Sequence, residues 1–260
     1  MTAPAPTADM SLQGRLRRRL ARIGARRPAA HAPPRGMVSF SFDDIPASAA
    51  QAGARVLEAR GLRGTFYVCA GLAGRPGPVE PYADREAITT LARAGHEIGC
   101  HTHAHLNLAT AERAPVEADL ARNAEALEGW GVGAPETFAF PFGDVSAAAK
   151  RIVAPRFALC RALHPGLVAR GTDLNQAPAI GIEGEAGVAR ASDWIARAAA
   201  TNRWLILYSH SVLDRVTPWG CTADGLDRLA AQALAAGLDV VTVAEGARRV
   251  HPRQLGAGSP

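Results

Sequence analysis

The chain has 260 residues, 48% hydrophobic and 20% charged, enough apolar material for one large core and too much for a chain that stays disordered. Its net charge of +5 suggests an anionic partner, but eight arginines against the single acid Asp9 give residues 1–36 a charge of +7 and leave the rest at −2. That distribution argues against a nucleic-acid-binding face on the folded body.

In the basic leader, Leu12, Leu16, Leu20 and Ile23 recur at helical spacing with arginines between them, the pattern of an amphipathic helix that could lie on an anionic membrane surface. Gly14, Gly24 and the run PAAHAPPRG equally suit a flexible leader or a helix packed on the body. The expected organisation is a flexible basic leader over 1–36, one folded domain over 37–250 and a disordered tail over 251–260. No apolar run follows the arginines to make a secretory signal, and no stretch is long enough to span a membrane, so a cytoplasmic protein is expected, peripheral at the inner membrane surface if the leader binds lipid. Cys69, Cys100, Cys160 and Cys221 are widely separated, which predicts reduced thiols rather than disulfides or a cysteine-rich zinc site.

From residue 37 onward, short β-branched or aromatic runs alternate with helical stretches. Strands are expected at 37–42, 65–69, 96–100, 137–140, 156–160, 179–182, 204–209 and 239–243, with helices at 47–60, 84–94, 111–128, 187–202 and 222–236. This alternation predicts an α/β fold around a mostly parallel sheet, open or closed into a barrel. Runs as apolar as WLILY fit strands buried on both faces. Function in either architecture gathers at the carboxyl ends of strands, and the first of these carries no glycine-rich nucleotide fingerprint.

The strand ends carry Asp43 and Asp44, then His101, His103 and His105, then Pro141, Phe142 and Gly143, and finally His210. Two imidazoles and one carboxylate suit zinc or another first-row divalent ion with positions left open. Asp43 and Asp44 cannot both point the same way, so one would bind metal and the other act as a base. In an extended strand His101, His103 and His105 share a face; a turn into helix after His101, the preferred reading, would bring His101 and His105 together at i, i+4. His96 and Cys100 are read as structural.

These residues resemble the polysaccharide deacetylases of the NodB-homology type, carbohydrate esterase family 4. SFDD is similar to that family's first motif, HTHAH to its second, FAFPFG to its third-motif loop and LYSH to its final Leu-x-His strand; the likeness runs from about residue 36 to 250. The resemblance implies a distorted (β/α) barrel of about seven strands, with Asp43 as general base, Asp44, His101 and His105 as metal ligands, and His210 as general acid. It leaves His103 variable. It also implies oxyanion stabilisation at the backbone N–H of Phe142, in the Pro141-Phe142-Gly143 turn, and a divalent ion: zinc first, with cobalt, manganese or nickel as alternatives. Tyr208 and Trp219 could add an apolar wall to the mouth, although Tyr208 suits the core equally well.

The chain departs from the family pattern in two places. The third-motif arginine that orients the catalytic aspartate is replaced by Phe138, Ala139 or Phe140, and Arg161, at the end of the next strand, could substitute. The Asp193-Trp194 pair resembles the fourth motif but falls inside a helix close to His210, which makes Asp193 a candidate partner of His210 and Trp194 a packing residue. The implied activity is hydrolysis of an acyl group, N-acetyl first, from a sugar or polysaccharide. The alternatives are an amidohydrolase acting on a small non-sugar amide and a non-catalytic glycan-binding relative. The partners expected are an acetylated sugar or glycan, no nucleic acid, and a membrane surface through the leader; the oligomeric state is left open.

Overall fold

Strand β1 (Met37–Asp43) is buried along its whole length, and its two faces serve different purposes. Val38, Phe40 and Phe42 enter a core shared with the surrounding helices, whereas Ser39, Ser41 and Asp43 lie on the opposite face by the two-residue period. The buried serines are satisfied there: Ser39 accepts from Trp204 Nε1 at 2.9 Å and Ser41 donates to the Leu207 carbonyl at 2.7 Å. The architecture comes from a computed structural model, which describes residues 11–252.

Around β1, the strands β2 (Thr65–Val68), β3 (Glu97–Cys100), β4 (Thr137–Ala139), β5 (Leu159–Arg161), β6 (Ile180–Gly181) and β7 (Trp204–Ser209) pair in the order β5-β4-β3-β2-β1-β7-β6, all parallel. These seven parallel strands form a half-barrel, and a single bridge from Arg161 to Ala177 links β5 towards the far edge. Two further strands, β8 (Ser211–Leu213) and β9 (Gly220–Thr222), form a small ribbon beyond the end of β7. The short strand β10 (Asp239–Val240) pairs with the first half of β1, while β2 takes the second half.

The helices are α1 (Leu12–Ala21), α2 (Ala54–Glu58, preceded by a π-helical turn), α3 (Arg85–Arg93), α4 (Arg113–Gly129), α5 (Ala147–Val153), α6 (Gly187–Thr201), α7 (Ala223–Ala235) and α8 (Val243–Val250). Side-chain caps mark several starts: Asp84 accepts from Ala87 N, Ser146 from Ala149 N and Thr222 from Gly225 N. Two expectations fail locally. The strand read at 239–243 stops at Val240 because Thr242 caps α8, whose Glu245 N it accepts. Helix α5, absent from the reading, fills the gap between β4 and β5.

The leader departs most from expectation. From Ser11 onward it is docked on the body rather than flexible, because its arginines find acceptors there. Arg17 and Arg18 pair with buried Asp144 at 2.9 and 3.0 Å. Arg27 donates to the carbonyls of Ala154, Phe157 and Ala158, beyond the end of α5, where a cation complements the negative end of the helix dipole. The buried Lys150 bridges the Ala21 carbonyl and Asp173. The expected C-terminal tail lies outside the described residues beyond its first two positions.

Helix α8 closes the amino-terminal end of the half-barrel, with Val243, Ala247 and Val250 packed on Met37 and Trp204. Gly246 allows the close approach: a Cβ there would sit 2.4 Å from the fully buried Trp204 ring. Gly246→Ala is therefore expected to destabilise the fold by about 1–3 kcal/mol through overpacking, despite alanine's better helix propensity. Urea unfolding of the variant beside the parent measures this.

Candidate active site

Asp43 ends β1 on its serine face, and its carboxylate meets Arg161 from the end of β5, with guanidinium Nη2 at 2.5 Å from both oxygens. Arg161 is fully buried, its guanidinium carbon 5.2 Å from the ring centres of both Tyr67 and Tyr208. The arginine missing from the third-motif stretch is thus met in space by one carried on the next strand.

The chain turns at once after Asp43. Asp44 and Ile45 both adopt left-handed backbone, at φ 60° and 52°, a conformation that costs a β-branched residue such as isoleucine about 1–3 kcal/mol. Ile45 stays there because its side chain is buried and its carbonyl accepts from Ala83 N. The reversal aims Asp44 away from Asp43 and towards the histidine loop.

That loop leaves β3 without forming a helix, which corrects the expected i, i+4 turn. Thr102 (φ 68°) and His105 (φ 53°) are left-handed, Thr102 Oγ1 accepts from Leu106 N, and Asp119 of α4 accepts from the amides of His103 and Ala104. His101 and His105 are brought together by this folded loop, their rings 5.0 Å apart. His103 faces elsewhere, its ring close over Gly71.

Asp44, His101 and His105 offer three ligand atoms within 4.8 Å of one another. His101 Nδ1 lies 2.8 Å from the Ala139 carbonyl, so that nitrogen carries the proton and Nε2 keeps its lone pair. Both Nε2 atoms lie 3.3 Å from Asp44 Oδ1, yet this buried oxygen receives no hydrogen bond. A buried carboxylate oxygen faced by two imidazole nitrogens outside hydrogen-bonding geometry suits a cation, and two imidazoles with a carboxylate suit zinc chemistry. Burial pushes the His105 imidazole down to about 4, keeping it neutral and able to ligate. Burial alone would raise Asp44, but contact with His101 and the fields of His105 and His210 hold it well below the usual carboxylate range.

His210, just past β7, stands opposite, its Nε2 4.0 Å from Asp44 Oδ2. Its Nδ1 meets Glu183 at 2.5 Å. Burial would depress this imidazole, but the Glu183 hydrogen bond and charge, with Asp43 and Asp44 behind, lift it to about 9. Glu183 is the functional residue the sequence reading missed. It follows the AIGI run directly, so the rule that chemistry gathers at strand ends could have found it. Asp193, the expected partner, lies exposed on α6 instead, because helical phase turns Ala191 and Ile195 inward and Asp193 out. Trp194 packs against the core and under Arg197.

These groups line a cleft of about 500 Å³. Phe142, itself left-handed at φ 59°, stacks edge-on against His105 at 4.3 Å, and its amide has no backbone acceptor among the described residues. Pro141 is buried beneath, and Gly143 packs on Leu163 rather than lining the cleft. Tyr208, half-buried, and Trp219, 46% exposed, supply apolar wall with Tyr82, Val79 and Leu163.

Residues 30–155 match the family described as Polysaccharide deacetylase. A Mycobacterium smegmatis protein assigned as a polysaccharide deacetylase superposes with a TM-score of 0.66 at 20% identity, over 90% of this chain and 100% of its own. The chitin deacetylase of the fungal pathogen Colletotrichum lindemuthianum gives 0.63 at 18% identity, over 84% and 90%. A family 4 carbohydrate esterase from Streptomyces lividans, in complex with acetate, gives 0.54 at 19%, over 80% and 93%. No curated protein matches the chain. The solved structures establish the shared fold, and residues 30–155 are the part of the chain that matches the polysaccharide deacetylase family.

Proposed function

We propose that the protein is a metal-dependent deacetylase that removes an N-acetyl group from an acetylated sugar or glycan. The family match over residues 30–155 supports a hydrolase of amide bonds; the observation that carries the finer reading is Asp44 Oδ1, buried without a donor and faced by two imidazole nitrogens. Asp44, His101 and His105 would hold the ion, with zinc favoured by the nitrogen-rich set. When bound, it would polarise the acyl carbonyl and acidify a water at neutral pH.

The remaining work falls to the chain's own groups. Asp43, kept in one orientation by Arg161, accepts the proton of the attacking water. The Phe142 amide, at the cleft and without a backbone acceptor among the described residues, is the donor available to a developing oxyanion. His210, kept charged by Glu183, delivers a proton to the departing amine from Nε2, since Nδ1 is engaged. Phe142, Tyr208 and Trp219 offer apolar surface for a methyl group and a sugar face. The reading of a non-catalytic relative rested on the missing arginine, and the Arg161–Asp43 pair removes that motive.

Substitutions at three places in the site test this. His101→Ala and His105→Ala should lose bound metal and acetate release together, whereas His103→Ala should keep both; metal content of dialysed protein and acetate assays with an N-acetylated oligosaccharide decide it. Arg161→Ala should lower kcat about 100-fold while retaining metal, because it disorients the base without touching a ligand. The same change leaves Asp43 buried and unpaired, so unfolding should become easier by about 3–5 kcal/mol. Glu183→Gln removes the charge that keeps His210 protonated, so the alkaline limb of the kcat/KM profile should move to lower pH by about 1–3 pH units. An unmoved limb would remove His210 as the acid.

A further inference from the structure

Among the described residues, large apolar side chains are exposed in the leader, in loops at Val79, Val216 and Trp219, and singly at Leu234 on α7. Leu12, Leu16, Leu20 and Ile23 are 81%, 56%, 52% and 76% exposed, half of the large exposed apolar residues, within twelve positions of sequence. Helix α1 is seated with its apolar stripe outward. Gly14 and Ala21, two turns apart, are buried against the body, and Arg17 and Arg18 flank them on the pair with Asp144. At 3.6 residues per turn, Leu12 and Leu16 fall on the opposite side, and Ile23 is exposed in the turn just beyond the helix.

The edge beside that stripe carries Arg19 and Arg22, both exposed, and the helix contains no acid. We propose that α1 is a docking surface for an anionic lipid bilayer, lying in the interface with its leucines inserted and its arginines among the headgroups. Charge complementarity selects this occupant over a second copy of the chain. Two such helices packed face to face would bring Arg19 and Arg22 of both copies together with no acid on either helix to offset them. No helix among the described residues is long and apolar enough to cross a membrane, so the contact is peripheral.

The dock is tied to the cleft. Asp144, which holds Arg17 and Arg18, also accepts from Asn107 at 3.2 Å; it lies two residues beyond Phe142, and Asn107 two beyond His105. A bilayer bound to α1 is therefore attached through one buried carboxylate to both loops of the site. This proposal does not depend on the reaction, because its readout is binding.

The test is flotation of the full-length protein with vesicles of phosphatidylcholine alone or mixed with phosphatidylglycerol, together with light scattering in solution. The protein should float with the mixed vesicles and not with phosphatidylcholine alone, and high salt should release it. Leu16→Ser with Ile23→Ser, and separately Arg19→Glu with Arg22→Glu, should each weaken binding by about tenfold or more while leaving acetate release from a soluble substrate unchanged. Leu16→Trp should blue-shift its fluorescence on mixed vesicles. Absence of binding to the mixed vesicles would overturn the proposal, as would unaltered binding by the serine variant. So would a dimer that the serine variant dissolves without any lipid binding.

Discussion

The ion pair between Asp43 and Arg161 is the constraint on which the site depends. It joins the central strand β1 to the outer strand β5 across the interior of the half-barrel, between two tyrosine rings. Two full charges removed from water lose hydration that their attraction only roughly restores, so such a pair adds little net stability. Its effect is on geometry. A carboxylate gripped by one guanidinium nitrogen on both oxygens has a single orientation, and the planar guanidinium is held in turn by the rings it lies against. The opposite end of the cleft repeats this logic with reversed roles, a histidine kept charged by a partly buried acid. Asp43 and His210 are thus each held by one partner, and Asp44, His101 and His105 lie between them.

Strain is concentrated in the same place. Asp44, Ile45, Thr102, His105 and Phe142 all adopt left-handed backbone without being glycine, and each sits in a loop that aims a polar group into the cleft. Conformations of this kind cost about 1–3 kcal/mol each and persist only where the surroundings dictate them. Those surroundings are visible: Asp119 gathers the histidine-loop amides, and Ala83 holds the Ile45 carbonyl. The buried aromatic layer of β1 and β2, with Phe42 stacked on Phe66 at 4.9 Å, gives these turns a rigid base.

The leader shows how one stretch of sequence can satisfy two surfaces. Arg17, Arg18 and Arg27 are engaged by acceptors on the body, whereas the leucines that make the segment amphipathic are not. A helix docked through its arginines and small residues, with its apolar side turned to solvent, inverts the usual arrangement of a surface helix.

What the sequence determined by itself was local or periodic. The alternation of apolar runs and helical stretches sufficed for a mostly parallel α/β sheet, because both periods are properties of short segments, while its barrel form was implied by the family resemblance. The strand-end rule sufficed to collect Asp43, Asp44, His101, His105 and His210. The tertiary structure alone decided which distant groups meet. Arg161 reaches Asp43 because β5 and β1 face one interior, and Glu183 rather than Asp193 reaches His210 because helical phase turns Asp193 to solvent. The histidine loop folds by left-handed turns rather than as a helix because Asp119, on a later helix, holds its amides. The leader docks because its acceptors, Asp144 and the carbonyls beyond α5, lie more than a hundred residues away in the chain. Pairings across such distances depend on how the layers close, and spacing along a sequence carries no record of that closure.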